Sequence, residues 1–150
     1  REQKLDIMRD SRIGTYGVCA LVLTIILRVT ALASLATPGL VVPALFAAHG
    51  GARAMMAVFM FFLPPARLDG LSAAAGQPPR ESAGAAAVLG IVILALCLGP
   101  WLGLGALIVL VIATAILGWL SLTQIDGQSG DVLGAVEQVG EIVVLLVALI

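Results

Sequence analysis

Apolar positions along this chain come in long uninterrupted runs, neither alternating nor confined to narrow stripes. Residues 16–36 carry a single charge, Arg28. A helix crossing about 30 Å of hydrocarbon needs about 20 apolar residues, because each advances the axis by about 1.5 Å. The first run is therefore predicted to span a membrane. A second predicted span covers 40–63 and holds His49 and Arg53 near its middle. Pro64-Pro65 ends it, since proline lacks an amide hydrogen and clashes with the preceding turn. Between Ser82 and Ile125 there is no Asp, Glu, Lys or Arg. That stretch is long enough for two crossings, 83–99 and 101–122, with Gly99-Pro100 as the break between them. A fifth predicted span, 132–150, has Glu137 and Glu141 in its first half. The period-two alternation that a membrane barrel needs is not evident. The expected fold is all-α: a polytopic membrane helical bundle with about five transmembrane helices, one unit over 1–150. Ahead of it, Glu2 to Asp10 reads as a short amphipathic helix at the membrane interface, with Leu5 and Met8 on one side.

Composition narrows the class further. The chain has 150 residues, of which 61% are hydrophobic and 11% charged, and its mean hydropathy is +1.13. So few charges cannot cover the surface of a small soluble domain. The net charge of −1 gives no basic patch for nucleic acid. Cys19 and Cys97 both lie in apolar runs, where reduced, packed thiols are expected and a disulfide framework is not. Lys and Arg distribution sets the orientation. Arg1, Lys4, Arg9 and Arg12 precede the first span, the turn at 37–39 has none, and the 64–82 loop has Arg67 and Arg80. The first and third of these segments are thus expected on the cytoplasmic side, and by alternation the 123–130 loop joins them.

That orientation gathers the polar motifs on one face. Asp10-Ser11-Arg12 sets an acid, a hydroxyl and a guanidinium before Gly14 and Gly17, a composition suited to phosphate oxygens. Gly127-Gln128-Ser129-Gly130-Asp131 is small and polar and opens a helix. Its backbone and Ser129 would approach a phosphate while Asp131 holds a divalent cation. The plainer alternative makes Asp131 a helix N-cap. Arg53 lies inside a span, where a guanidinium costs at least about 2.5 kcal/mol and must face a partner or a polar cavity. Glu137 and Glu141, four residues apart, share a helix face and are candidates to meet it. Arg28 either joins such a network or snorkels to the interface. His49 is expected to be an interhelical hydrogen-bond donor before it is a ligand.

The stretches Ile7-Met8-Arg9-Asp10-Ser11-Arg12-Ile13-Gly14-Thr15 and Gly127-Gln128-Ser129-Gly130-Asp131-Val132-Leu133-Gly134-Ala135 closely resemble the two best-marked segments of the cobalamin synthase family. These are membrane-bound adenosylcobinamide-GDP ribazoletransferases, and the resemblance runs in order along essentially the whole chain. It implies transfer of the cobinamide-phosphate group of adenosylcobinamide-GDP to alpha-ribazole or its 5′-phosphate. The products are adenosylcobalamin or its 5′-phosphate, and GMP. By the same resemblance Asp10, Arg12, Arg53 and Asp131 are catalytic, and Ser11, Arg67, Gly127, Gln128, Ser129 and Gly130 bind substrate. Mg2+ is the implied cofactor, with Asp131 and Glu141 as ligands. Ala52 stands where the family usually has Ser, Ser129 where Thr is commoner, and Asp126 where Gly is usual, while Asp69 and Gly70 follow the family's pattern. The family's acidic signature, Asp-Gly-Leu-Ala-Asp followed by Asp-Gly, is expected just upstream of Arg1 and would supply the principal magnesium ligands. The chain is therefore expected to be the C-terminal part of the enzyme, inactive alone. The implied setting is the bacterial inner membrane with the active face on the cytoplasm, as a homo-oligomer or beside other corrinoid enzymes. The competing reading is a transporter or channel subunit with Arg53, Glu137 and Glu141 along its pathway.

Overall fold

A computed structural model describes residues 2–9, 14–67 and 71–150. The described residues form seven helices: α1 (Glu2–Arg9), α2 (Thr15–Leu35), α3 (Pro38–Phe62), α4 (Leu71–Ala75), α5 (Arg80–Leu98), α6 (Pro100–Ile125) and α7 (Gly130–Val147). No strand occurs among them; the one β-type contact is an isolated parallel bridge between Pro65 and Gln128. The breaks follow local chemistry. Pro38 and Pro100 each occupy the first turn of a helix, where a missing amide hydrogen costs nothing. Gly99 joins α5 to α6 at φ +79°, a conformation open to glycine and strained for other residues.

Four helices, α2, α3, α5 and α6, are long and apolar enough to cross a membrane. The chain is a multi-pass membrane bundle. Helix ends differ modestly from those expected: α5 starts three residues early, at Arg80, and α6 runs on to Ile125, where Asp126 takes a left-handed conformation. The expected fifth span is the larger difference. It is an 18-residue helix that includes Asp131, Glu137 and Glu141, and its buried side includes Val136, Gly140, Glu141, Val144 and Leu145. α7 packs on α3 and α6, and its carboxylates Glu137 and Glu141 are answered by protein.

α3 is the centre of the bundle because its surface is small. Ala44, Ala47, Ala48, Gly51 and Ala52 are all buried. Small side chains let membrane helices approach until backbones nearly touch, and that contact replaces the hydrophobic drive absent in lipid. On one side α5 closes in: a Cβ added at Gly90 would lie 2.5 Å from the Ala54 Cβ. On the other, a Cβ at Gly140 of α7 would come within 3.0 Å of the Ala52 Cβ. Gly90→Val is accordingly expected to destabilise the bundle by about 1–3 kcal/mol through overpacking. Gly84→Ala is its control, since no atom lies within 4 Å of the added carbon. Thermal unfolding in detergent micelles should show a lowered midpoint for the first and none for the second.

α2 stands apart from this pattern. Only Ala31 and Leu35, near its far end, are buried, and Val18, Leu21, Val22 and Ile25 are exposed.

Candidate active site at the loop cluster and the charged layer beneath it

Two polar layers emerge. The outer one joins the segment after α3 to the segment after α6. The Gln128 amide donates to the Pro64 carbonyl at 2.8 Å, and the Ala66 amide donates to the Gln128 carbonyl at 2.8 Å. Gly127 allows this clip: any Cβ there would sit 2.4 Å from the Pro64 oxygen and 2.9 Å from the Ala66 nitrogen. The Ser121 hydroxyl donates to the Gly127 carbonyl at 2.5 Å. Gln128 is wholly buried, and its Oε1 accepts from the Ser72 hydroxyl of α4 at 2.7 Å. Its Nε2 is buried with no partner.

This geometry divides the residues expected to touch substrate. Gly127 and Gln128 face their own chain, whereas Gly130 is exposed with no atom within 4 Å of a Cβ position. Ser129 is the N-cap of α7, its hydroxyl accepting from the Val132 amide at 3.4 Å. The N-cap alternative for Asp131 is thereby corrected. Asp131 lies two residues further on, exposed in the first turn, where the helix dipole favours its negative charge. Arg67 is half-buried; its Nη2 donates to the Leu5 carbonyl of α1 at 2.6 Å, and its Nε is buried without a partner. Lys4 of α1 also donates to the Gln124 side chain of α6. α1 is thus fastened across the same end of the bundle, as its amphipathic sequence implies. Asp10, Ser11 and Arg12 lie outside the described residues, as do Asp69 and Gly70.

The inner layer lies where α2, α3 and α7 meet. Arg53 Nη2 meets Glu137 Oε1 at 2.9 Å. One helical turn deeper along α7, Glu141 receives Arg28 Nη2 on Oε2 at 2.5 Å and His49 Nδ1 on Oε1 at 2.5 Å. The Glu141 side chain is 6% exposed, whereas His49 and Arg53 are 48% and 59% exposed. These last two line an open groove of about 430 Å³ with Leu45 and Phe46. The expected meeting of Arg53 with the α7 carboxylates therefore occurs, and of the two readings of Arg28 the network is the one observed. His49 is the interhelical donor expected. Sequence reasoning missed Ser72 and Ser121 as supports of the loop. Neither carries a local signal, because both act through partners brought near only by folding.

Among the described residues no three His, Cys, Asp or Glu side chains come together to hold a metal ion. Each Glu141 oxygen already has a nitrogen partner. Asp131 alone does not make a magnesium site, so the described residues do not fit the ion by themselves.

The family described as cobalamin-5-phosphate synthase matches residues 1–149. An adenosylcobinamide-GDP ribazoletransferase of Bradyrhizobium diazoefficiens is 59% identical over 148 residues, covering 99% of this chain and 57% of that protein. Its namesake in Mesorhizobium japonicum is 51% identical with the same coverage, and that of Azorhizobium caulinodans is 44% identical over 157 residues. The chain spans between 57% and 59% of the length of these curated relatives. No solved structure matches it. None of these similarities lends support to the transporter reading. With its two marked polar segments and a match along almost its whole length, the chain belongs to the cobalamin-5-phosphate synthase family.

Proposed function

We propose that this chain serves the reaction named in its relatives, adenosylcobinamide-GDP ribazoletransfer. The observation that carries the reading is the family match over residues 1–149, together with the loop cluster built at one end of the bundle. A ribose hydroxyl of alpha-ribazole, or of its 5′-phosphate, attacks the phosphorus attached to cobinamide. The new phosphorus–oxygen bond forms as the bond to the GMP phosphate breaks; the hydroxyl loses its proton and GMP departs as an anion. Positioning and charge neutralisation carry most of such a step.

The chain's own residues divide that work. Gly130 and the first turn of α7 present an exposed, positively polarised helix start toward a phosphate. The clip between Pro64 and Gln128 holds that start at a fixed height, with Ser121 and Ser72 bracing it. Asp10, Ser11 and Arg12 are proposed to complete the site, Arg12 on non-bridging oxygens and Asp10 as an acid or base. Arg67 retains an unpartnered Nε while its Nη2 holds α1, so substrate binding through it would use that remaining donor. Arg53 is proposed to act from the layer beneath. Magnesium belongs to the proposal through the resemblance, with Asp131 as the exposed carboxylate that this chain would offer. The setting proposed is the bacterial inner membrane with this face toward the cytoplasm, as a homo-oligomer or beside other corrinoid enzymes.

The intact protein in a bilayer, given adenosylcobinamide-GDP and alpha-ribazole, is expected to release GMP and form adenosylcobalamin. Asp131→Ala is expected to slow GMP release by at least about tenfold while costing at most about 1 kcal/mol of stability, because the side chain is exposed and its contribution is electrostatic. No GMP release from folded protein overturns the reading.

A further inference from the structure

The two polar segments that the proposed reaction requires precede α2 and α7, yet α2 buries only Ala31 and Leu35. Among the described residues, packing holds it only near its far end. Among the described residues, its strongest polar tie is Arg28 to Glu141 at 2.5 Å, and the same carboxylate takes His49 of α3 on its other oxygen. We propose that Glu141 is a positioning residue rather than a magnesium ligand. It is a three-helix junction that sets α2 against α7 and thereby the spacing of the starts of these two helices.

Glu141 and Asp131 are ten residues apart on one helix, hence about 15 Å along its axis. A magnesium ion with ligands at about 2.1 Å cannot be shared across that gap. Arg28 and His49 already supply donors to both Glu141 oxygens, so a cation there would displace a guanidinium from a carboxylate that is only 6% exposed. Finally, the junction has leverage. It lies about 20 Å from the start of α2 and about 16 Å from the start of α7. A tilt of about 10° there moves the ends by about 3 Å, and displacements near 1 Å can already cost about a hundredfold in rate.

The inference rests on the proposed function only for its kinetic readout; a distance measurement tests it separately. Spin labels on Cys19, which is exposed near the start of α2, and on Ala135→Cys of α7 report the spacing in lipid nanodiscs, with Cys97→Ala as background. Glu141→Gln and Arg28→Gln are each expected to broaden the distance distribution by about twofold and to lower kcat far more than KM. Arg28→Lys keeps the charge and is expected to retain the parental distribution. The exchange Arg28→Glu with Glu141→Arg, if it folds, restores a narrow one. Unchanged distances in Glu141→Gln and Arg28→Gln overturn the junction, as does a Glu141→Gln protein whose sole change is a higher magnesium requirement. Should the parent release no GMP, the distances still decide.

Discussion

Replacing Glu141 with alanine is expected to cost about 3–5 kcal/mol of folding free energy, the penalty typical of stranding a buried charge. Arg28 would be left with an uncompensated guanidinium inside a span, and His49 would lose the acceptor of its Nδ1 hydrogen. Water cannot readily replace the carboxylate there, which is why the expected loss exceeds that for a surface pair. Detergent-resolved unfolding, titrated with SDS in mixed micelles, measures the difference. Arg28→Met combined with Glu141→Leu is expected to recover a large part of it, because an apolar pair strands no guanidinium. A Glu141→Ala protein as stable as its parent would mean that the junction bears no weight.

Gly127→Ala has the next largest expected effect, about 3 kcal/mol together with loss of the proposed transferase activity. The added carbon would lie 2.4 Å from the Pro64 carbonyl oxygen, well inside contact distance, and what it meets is backbone that cannot swing aside. Relief requires opening the clip. The Gln128 amide and carbonyl would then lose their partners in Pro64 and Ala66, and the Ser121 bond to the Gly127 carbonyl would be disturbed. Unfolding midpoint and GMP release measured on one preparation check both halves of the expectation. A stable variant with normal turnover would show that the loop tolerates a different path.

The legibility of this fold divides along a physical line. Run length alone reveals α2, α3, α5 and α6, because lipid imposes a minimum number of apolar residues. α7 is less plain: three of its residues are carboxylates, and two of these are compensated from α2 and α3. Arg28 and His49 lie 113 and 92 positions from Glu141, so no local pattern announces their meeting. The glycine and serine content around position 128 reads as a pliable ligand loop. In the structure Gly127 instead accommodates the approach of Pro64, and Gln128 is a buried strut. Composition shows that a backbone comes close there, but not whether the visitor is a phosphate or the protein itself. The end charges tell a similar story in reverse. Asp131 has the sequence appearance of a cap and turns out uncapping and exposed, because Ser129 takes that position two residues earlier.

The bridge between Pro65 and Gln128 also has a topological consequence. It ties together the two ends of a segment of about 60 residues that contains the α5–α6 hairpin, making that hairpin a closed loop suspended from the loop cluster. The entropy of closing a loop rises only with the logarithm of its length, so a few residues added at the Gly99-Pro100 turn would alter it by about 0.1 kcal/mol. Loop closure therefore sets almost no penalty on lengthening the hairpin's far end.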